Sequence, residues 1–104
     1  MREHKYHARP TTVDGIRFAS QKEARRYQEL RLLERAGEIT QLELQPRYRL
    51  DAAGGEFIGE YRADFRYLSV GVEVVEDVKG VRTSLYRWKK RHVEAQYGIA
   101  ITET

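Results

Sequence analysis

The fold is decided by residues 57–79, which read FIGEYRADFRYLSVGVEVVEDVK. From about Phe57 to Leu68, aromatic and charged residues alternate with a period of two, which is typical of a half-buried β-strand. A turn around residues 69–71 leads into a second predicted strand, residues 72–78, that is rich in valine. The turn is short, so we expect the two strands to pair as a hairpin at the centre of a sheet.

The same alternation places charged residues at the ends of these two strands. Asp64 lies on the face opposite to the aromatic residues of its strand, and Asp77 and Lys79 share a face because they are two residues apart. If the strands pair through the turn, the three side chains converge. The alternative is that Asp64 only forms ion pairs with Arg62 and Arg66 on an exposed sheet face.

Two carboxylates beside a lysine have a chemistry of their own. Carboxylate oxygens suit Mg²⁺ or Mn²⁺, and the backbone carbonyl of Val78 is a further candidate ligand. Such an ion lowers the pKa of a bound water and neutralises charge on a phosphodiester. Lys79 is then predicted to position the attacking hydroxide or to stabilise the transition state. The pattern predicts a metal-dependent nuclease with Asp64, Asp77 and Lys79 as catalytic residues.

The positive charge of the chain supports a nucleic-acid partner. The net charge is only +3, but residues 79–92 hold six of the 19 lysines and arginines and no acid. Clustered Lys and Arg are expected where a protein contacts a phosphate backbone, although a solvated helix face would look the same. The predicted DNA contacts are Lys22, Arg82, Arg87, Lys89, Lys90 and Arg91.

The remaining elements fit an α/β fold around this sheet. Residues 1–12 are predicted to form a flexible basic arm, and residues 13–104 a single domain. An Asp-Gly hairpin is expected at 13–16, and helices at about 21–36 and 85–97. Short strands are expected at 39–44, 47–50 and 99–102, which gives a mixed sheet with two helices.

Composition excludes several classes of protein. The chain has 104 residues and no cysteine, so it has no disulfide framework and no thiolate zinc site. No apolar run reaches the length of a membrane span, and the N-terminus lacks the apolar core of a signal peptide. A cytoplasmic protein without a membrane partner is the expectation.

Two glutamates and one tryptophan raise separate questions. Glu23 follows Ser20 by three residues, which is a complete capping box, but a glutamate in the first helical turn can also reach a metal. Glu76 falls on the apolar face of its strand and needs a partner, for which Arg25, Arg26 or a tyrosine are candidates. Trp88, together with Val93 and Tyr97, is expected in the core.

Four blocks of sequence resemble a family of small phage and prophage proteins. They are FASQKEA at 18–24, LELQP at 42–46, YRADF at 61–65 and VEDVKG at 75–80. That family is catalogued as a domain of unknown function and is assigned to the PD-(D/E)XK nuclease superfamily, which includes restriction endonucleases. The resemblance covers the chain from about residue 5 to its end. It implies a restriction-endonuclease-like αβββαβ core.

The resemblance also implies roles for individual residues. Asp64 is the first acid, Asp77 the second, Lys79 the lysine, and Glu23 a helix glutamate that some branches use as a further metal ligand. Ala63 stands where the superfamily name has proline, a position that does not touch the metal. Enzymes of this superfamily cut many DNA structures, so the fold alone does not choose the substrate.

The substrate expected here is branched DNA. A chain this small has no separate domain for reading sequence, which favours recognition of shape, as in a Holliday junction resolvase. Such enzymes cut two strands, so a homodimer acting in phage recombination or replication in a bacterial host is expected. The alternatives are a DNA nickase or exonuclease and a non-catalytic DNA-binding module.

Overall fold

A computed structural model describes residues 9–104 of the chain, with two helices and eight strands. The helices are α1 (Gln21–Arg35) and α2 (Ser84–Tyr97). The strands are β1 (Thr11–Val13), β2 (Ile16–Phe18), β3 (Ile39–Leu44), β4 (Arg47–Asp51), β5 (Phe57–Arg62), β6 (Phe65–Ser69), β7 (Val72–Asp77) and β8 (Ile101–Glu103).

The central sheet has four strands in the order β3-β6-β7-β8. The β3–β6 and β6–β7 pairs are antiparallel, and β7–β8 is parallel, so the sheet is mixed as predicted. The hairpin expected through residues 69–71 is confirmed, with Ser69 opposite Val72. Along the chain, α1, β3, β6, β7, α2 and β8 follow the predicted αβββαβ order. The pairs β1–β2 and β4–β5 form two smaller sheets.

The N-terminal hairpin begins earlier than predicted. Asp14 and Gly15 form its turn with positive φ angles of 53° and 74°, a conformation that the Asp-Gly pair adopts readily. Strand β1 starts at Thr11, so Thr11 and Thr12 belong to the hairpin and not to the predicted arm. Residues 1–8 of that arm lie outside the described residues.

The single strand predicted from Phe57 to Leu68 is wrong, because the chain changes partners at Ala63 and Asp64. Strand β5 pairs with β4, whereas β6 pairs with β3 and β7. The N–H of Ala63 donates to the Pro46 carbonyl, and the next N–H, that of Asp64, donates to the Glu76 carbonyl. The two-residue period continues through the break, so periodicity alone could not reveal it.

Two hydrophobic clusters lie on the two faces of the central sheet. Consecutive residues of β7 point to opposite faces, and Val74 packs with the α1 cluster while Val75 belongs to the α2 cluster. The α1 cluster contains Phe18, Ala24, Tyr27, Leu30, Ile39, Phe65 and Tyr67. The α2 cluster contains Leu50, Tyr61, Ala63, Val75, Val93 and Ile101.

These clusters correct two predictions about packing. The aromatic residues of the predicted long strand do not share one core, since Tyr61 lies in the α2 cluster and Tyr67 in the α1 cluster. Of the three residues of α2 expected in the core, only Val93 is buried, while Trp88 and Tyr97 are each 42% exposed. Trp88 instead lies against His92, with ring centroids 5.4 Å apart, at the surface of the helix.

Both helices begin at capping residues that the sequence indicates. The Ser20 hydroxyl accepts from the Glu23 N–H at 3.1 Å, and the Thr83 hydroxyl accepts from the Tyr86 N–H at 3.1 Å. Helix α2 ends at Gly98, whose φ of 65° is left-handed. Within residues 9–104, neither helix is long and apolar enough to cross a membrane.

Candidate active site

The candidate site is built around the carboxylates of Asp64 and Asp77. Phe65 is opposite Glu76 in the β6–β7 register, so the flanking aspartates come together at one end of the two strands. The Val78 N–H donates to Asp64 Oδ2 at 2.7 Å. The carboxyl groups of Asp64 and Asp77 lie within hydrogen-bonding reach of each other. The convergence expected from the alternation of the two strands is therefore present.

The environment of Asp64 disfavours its negative charge. Burial, the hydrogen bond with Asp77 and the charge of Glu23 raise the pKa of Asp64 to about 8, against an opposing effect of the Val78 N–H. Without a cation, Asp64 therefore retains its proton at neutral pH. A bound cation would stabilise the negative charge that burial and the neighbouring acids disfavour. The Asp64–Asp77 pair is therefore suited to binding a cation.

Asp77 is buried but contacts polar groups on both oxygens. It is 1% exposed. The Tyr61 hydroxyl donates to Oδ2, and the Lys79 ammonium is 3.2 Å from Oδ1. Burial and the neighbouring Asp77 raise the pKa of Tyr61, so this hydroxyl remains a donor. The contacts fix the orientation of the carboxylate.

Lys79 is held between Asp77 and an aromatic ring. Its Nζ lies 4.0 Å from the centroid of the Tyr86 ring, which is the geometry of a cation–π contact. The Tyr86 hydroxyl in turn donates to Glu103 Oε2 at 2.6 Å, and burial raises the pKa of Tyr86. Helix α2 and strand β8 therefore set where the ammonium group of Lys79 points.

Glu23 approaches the pair from helix α1. Its side chain is buried, and burial and the charge of Asp77 raise its pKa, while Arg62 and Lys79 lower it. Its N–H makes one half of the predicted capping box with Ser20. Within residues 9–104, the reciprocal bond from the Ser20 N–H to the Glu23 carboxylate is not formed, so capping does not account for the buried carboxylate.

The side chains that could bind a divalent ion are the carboxylates of Asp64, Asp77 and Glu23. Across the described part of the chain, no group of three or more His, Cys, Asp or Glu side chains has the spacing of a metal cluster. Glu23 is therefore near the aspartates but not placed beside them as a third ligand. Mg²⁺ commonly takes one or two carboxylates and completes its shell with waters and substrate phosphates, which the Asp64–Asp77 pair fits. The ligand roles of Glu23 and of the Val78 carbonyl stay predictions.

An ion pair beneath the site joins α1 to β7. Arg26 donates to both oxygens of Glu76 at 2.8 and 2.6 Å, and the Tyr67 hydroxyl donates to Oε2. The prediction that Glu76 needs an arginine or tyrosine partner is confirmed, and it has both. Arg26 is one turn after Glu23, and Glu76 precedes Asp77. The ion pair therefore fixes the helical turn that carries Glu23 over the strand that carries Asp77.

The predicted DNA-contacting residues do not all line one cavity. Lys89 lines a cleft of about 470 Å³ next to Asp77 and Lys79. Lys22 donates from its ammonium to the Lys79 carbonyl at 3.2 Å. Arg82 pairs with Glu103 at 3.0 Å and Lys90 with Glu94 at 3.3 Å. A separate cavity of about 360 Å³ is lined by Arg87, Lys90, Arg91 and Glu103.

The alternative of surface ion pairs for Asp64 is not what the structure shows. Arg66 forms ion pairs with Glu73 and, at 3.7 Å, with Glu43. It does not pair with Asp64. Arg62 forms no ion pair with any residue of the range 9–104. It lines the same cleft as Lys79 and Lys89.

Three residues of the site were not found by sequence reasoning. Tyr61 was predicted only as one of the aromatic residues of its strand, Arg62 as a surface charge, and Tyr86 was given no role. The one signal available was at Tyr61, where a tyrosine occupies a buried position that a phenylalanine would fill equally well. A hydroxyl at such a position requires a partner.

The molecule is thus an α/β protein that presents two aspartates, a lysine and a glutamate at one end of the two inner strands of a mixed sheet. A family model described as "Protein of unknown function (DUF1064)" matches residues 3–102, and the chain belongs to this family. No curated protein and no solved structure matches the chain.

Proposed function

We propose that this protein is a metal-dependent endodeoxyribonuclease of the PD-(D/E)XK type. The observation that carries the proposal is the meeting of Asp64 and Asp77 at the ends of paired strands, with the Lys79 ammonium 3.2 Å from Asp77. Acidic pairs beside a fixed cation favour phosphoryl chemistry. The raised pKa values of Asp64 and Glu23 support a site that binds a cation.

The proposed reaction adds one water across a phosphodiester. The water oxygen bonds to phosphorus, the ester oxygen leaves with a proton, and the products are an alcohol and a phosphate monoester. Bound Mg²⁺ or Mn²⁺ would supply the activated water and part of the charge neutralisation. Asp64 and Asp77 hold the ion, and Lys79 hydrogen-bonds to the phosphate oxygens as negative charge develops on them. Tyr61 and Tyr86 keep Asp77 and Lys79 in their positions.

The proposed substrate is branched DNA, in a resolvase-like reaction of phage recombination or replication in the cytoplasm of a bacterial host. The support is the small size of the domain and the presence of basic side chains in more than one cavity, which suits contacts to the phosphate backbone. Cutting two strands requires two sites, so the proposal includes a homodimer.

The test is a cleavage assay on labelled four-way junction, linear duplex and single strand, each with Mg²⁺ or Mn²⁺. Lys79→Ala is compared with Arg35→Ala, an exposed change at the far end of α1. We expect metal-dependent cleavage that is lost in Lys79→Ala and retained in Arg35→Ala. Symmetric cuts in the junction indicate a resolvase, and equal cutting of all three substrates indicates a general nickase or exonuclease.

The second candidate is a DNA-binding module that does not cut. The observation in its favour is that no three acidic or imidazole side chains within residues 9–104 form a metal cluster. A mobility shift that persists in EDTA, with no cleavage products in either metal, would favour this candidate.

A further inference from the structure

Two of the groups proposed to react, Asp77 and Lys79, line a cleft. Asp77 is 1% exposed, and the Lys79 side chain is 22% exposed. Both line the cleft of about 470 Å³ between β5 and the start of α2. A phosphodiester therefore reaches them only by entering the cleft. In a paired duplex, the sugar and base cannot follow the phosphate inward unless the base pair opens, which costs a few kcal/mol.

The walls of this cleft match the parts of one nucleotide. Leu85, in the first turn of α2, is 62% exposed and lines the cleft together with Tyr86, so the two side chains give an apolar wall for a base. Arg62 and Lys89 line the cleft as well, and neither forms an ion pair within residues 9–104. Two free cations next to an apolar wall are complementary to a phosphate joined to a base. The volume is that of a small-molecule site and too small for a duplex.

We infer that this cleft binds one unpaired nucleotide adjacent to the phosphate that is cut. The inference rests on the proposed function and deepens it, because it makes the substrate a DNA strand with an unpaired nucleotide at the cleavage position. Junctions, bulges and single strands supply such a nucleotide, whereas an uninterrupted duplex supplies it only after a base pair opens.

The first test compares cleavage of three DNAs of one sequence: a duplex, the same duplex with a one-nucleotide bulge, and the single strand. We expect the bulged and single-stranded DNAs to be cut at least about tenfold faster than the duplex, since pair opening adds more than 1.4 kcal/mol to the barrier. Leu85→Glu places a negative charge in the apolar wall, which weakens binding of the unpaired nucleotide and its phosphate, so it should slow cleavage of the bulged DNA at least about tenfold. Leu32→Glu is the matched control, because Leu32 is 64% exposed on α1, and it should leave that rate unchanged.

The second test measures binding without cleavage. The Asp64→Asn variant is mixed with bulged DNA that carries 2-aminopurine at the unpaired position, whose fluorescence falls when the base stacks. We expect the fluorescence to be quenched by the Asp64→Asn variant and by the double variant Asp64→Asn, Leu32→Glu. The double variant Asp64→Asn, Leu85→Glu should not quench it.

The outcomes separate this inference from the proposed function. Equal cutting of the duplex and the bulged DNA would overturn the inference and leave the nuclease standing. Quenching without cleavage of any DNA by the unsubstituted protein would support the nucleotide cleft and reject the nuclease. If Leu32→Glu and Leu85→Glu had equal effects, the cleft would not be the binding site.

Discussion

Glu76 and Asp77 are consecutive residues of β7, and each is 1% exposed, but they face two different environments. Glu76 points to the α1 side, where Arg26 binds both of its oxygens and Tyr67 adds a third donor. Asp77 points to the α2 side, into a cleft that it shares with Lys79, and it lies within hydrogen-bonding reach of a second carboxyl group, that of Asp64.

The difference shows that burial alone does not separate structural carboxylates from candidate functional ones. The charge of Glu76 is matched within the protein and is closed to solvent. The acidic side chains around Asp77 are not matched in this way: of Asp64, Asp77 and Glu23, only Asp77 forms an ion pair within residues 9–104, with Lys79. A bound cation would stabilise a buried cluster of carboxylates, whereas a buried ion pair gains nothing from one.

The largest expected effect comes from breaking the Arg26–Glu76 ion pair on the α1 side of β7. Arg26→Met leaves Glu76 buried without its cation, and we expect unfolding to become easier by about 3–5 kcal/mol. Urea denaturation followed by circular dichroism measures this loss. Arg25→Met, at the exposed neighbouring position, is the control and should cost less than 1 kcal/mol. A loss below about 1 kcal/mol in Arg26→Met would show that the ion pair does not anchor α1.

A substitution of Asp77, on the α2 side of β7, should lower the rate of cleavage without destabilising the fold. Asp77→Asn removes one proposed metal-binding carboxylate, and we expect cleavage to fall on the order of 100-fold or more, about 2.7 kcal/mol in the barrier. Thermal unfolding should occur at the same or a higher temperature, because a repelling charge near Asp64 and Glu23 is removed. A variant that cuts normally, or that unfolds as readily as Arg26→Met, would contradict the comparison.

The raised pKa of Asp64 predicts how stability depends on pH. The folded protein holds this proton up to about pH 8, whereas the unfolded chain releases it near 3.8, so the unfolded state binds fewer protons between these values. The free energy of unfolding without metal should therefore fall as pH rises through that window, by at most about 1.4 kcal/mol per pH unit. Asp64→Asn should flatten the curve in denaturant titrations from pH 4 to 8. Parallel curves for the two proteins would refute the assignment.

The smallest expected effect concerns the ring that supports Lys79. Tyr86→Leu removes the cation–π contact, worth about 1 kcal/mol, and should slow cleavage about fivefold. Tyr86→Phe keeps the ring and loses only the bond to Glu103, so it should slow cleavage less and cost about 1 kcal/mol of stability. Steady-state rates and urea midpoints measured on both variants resolve the two roles. Equal rates in Phe and Leu would exclude a role for the ring.

Periodicity and capping residues predicted the order of the elements, because these are local properties of the chain. Ser20 and the alternation of β6 and β7 each specify their structure within a few residues. The break at Ala63 was not predictable, because a change of strand partners leaves the alternation intact. Trp88 was misplaced because helical spacing does not reveal which face of α2 meets the sheet.

The candidate site was predictable as far as strand geometry reaches. Asp64, Asp77 and Lys79 come together because their strands pair through a short turn. Tyr61, Arg62 and Tyr86 join them through tertiary contacts between separate elements, and no local pattern records such contacts. For Glu76, a physical requirement was predictable where the geometry was not, since a buried charge must have a partner.

The break between β5 and β6 has a mechanical consequence. Asp64 is the first residue after the chain leaves the β4–β5 hairpin, and its own N–H is bonded to the central sheet. A single peptide unit therefore connects the β4–β5 hairpin to the carboxylate pair of Asp64 and Asp77. The hairpin is itself anchored to α2, since the Asp51 N–H donates to Gln96 Oε1 at 2.9 Å and the Tyr97 hydroxyl donates to the Arg49 carbonyl at 2.7 Å. A displacement of α2 would therefore be transmitted to Asp64 through this one step of the backbone.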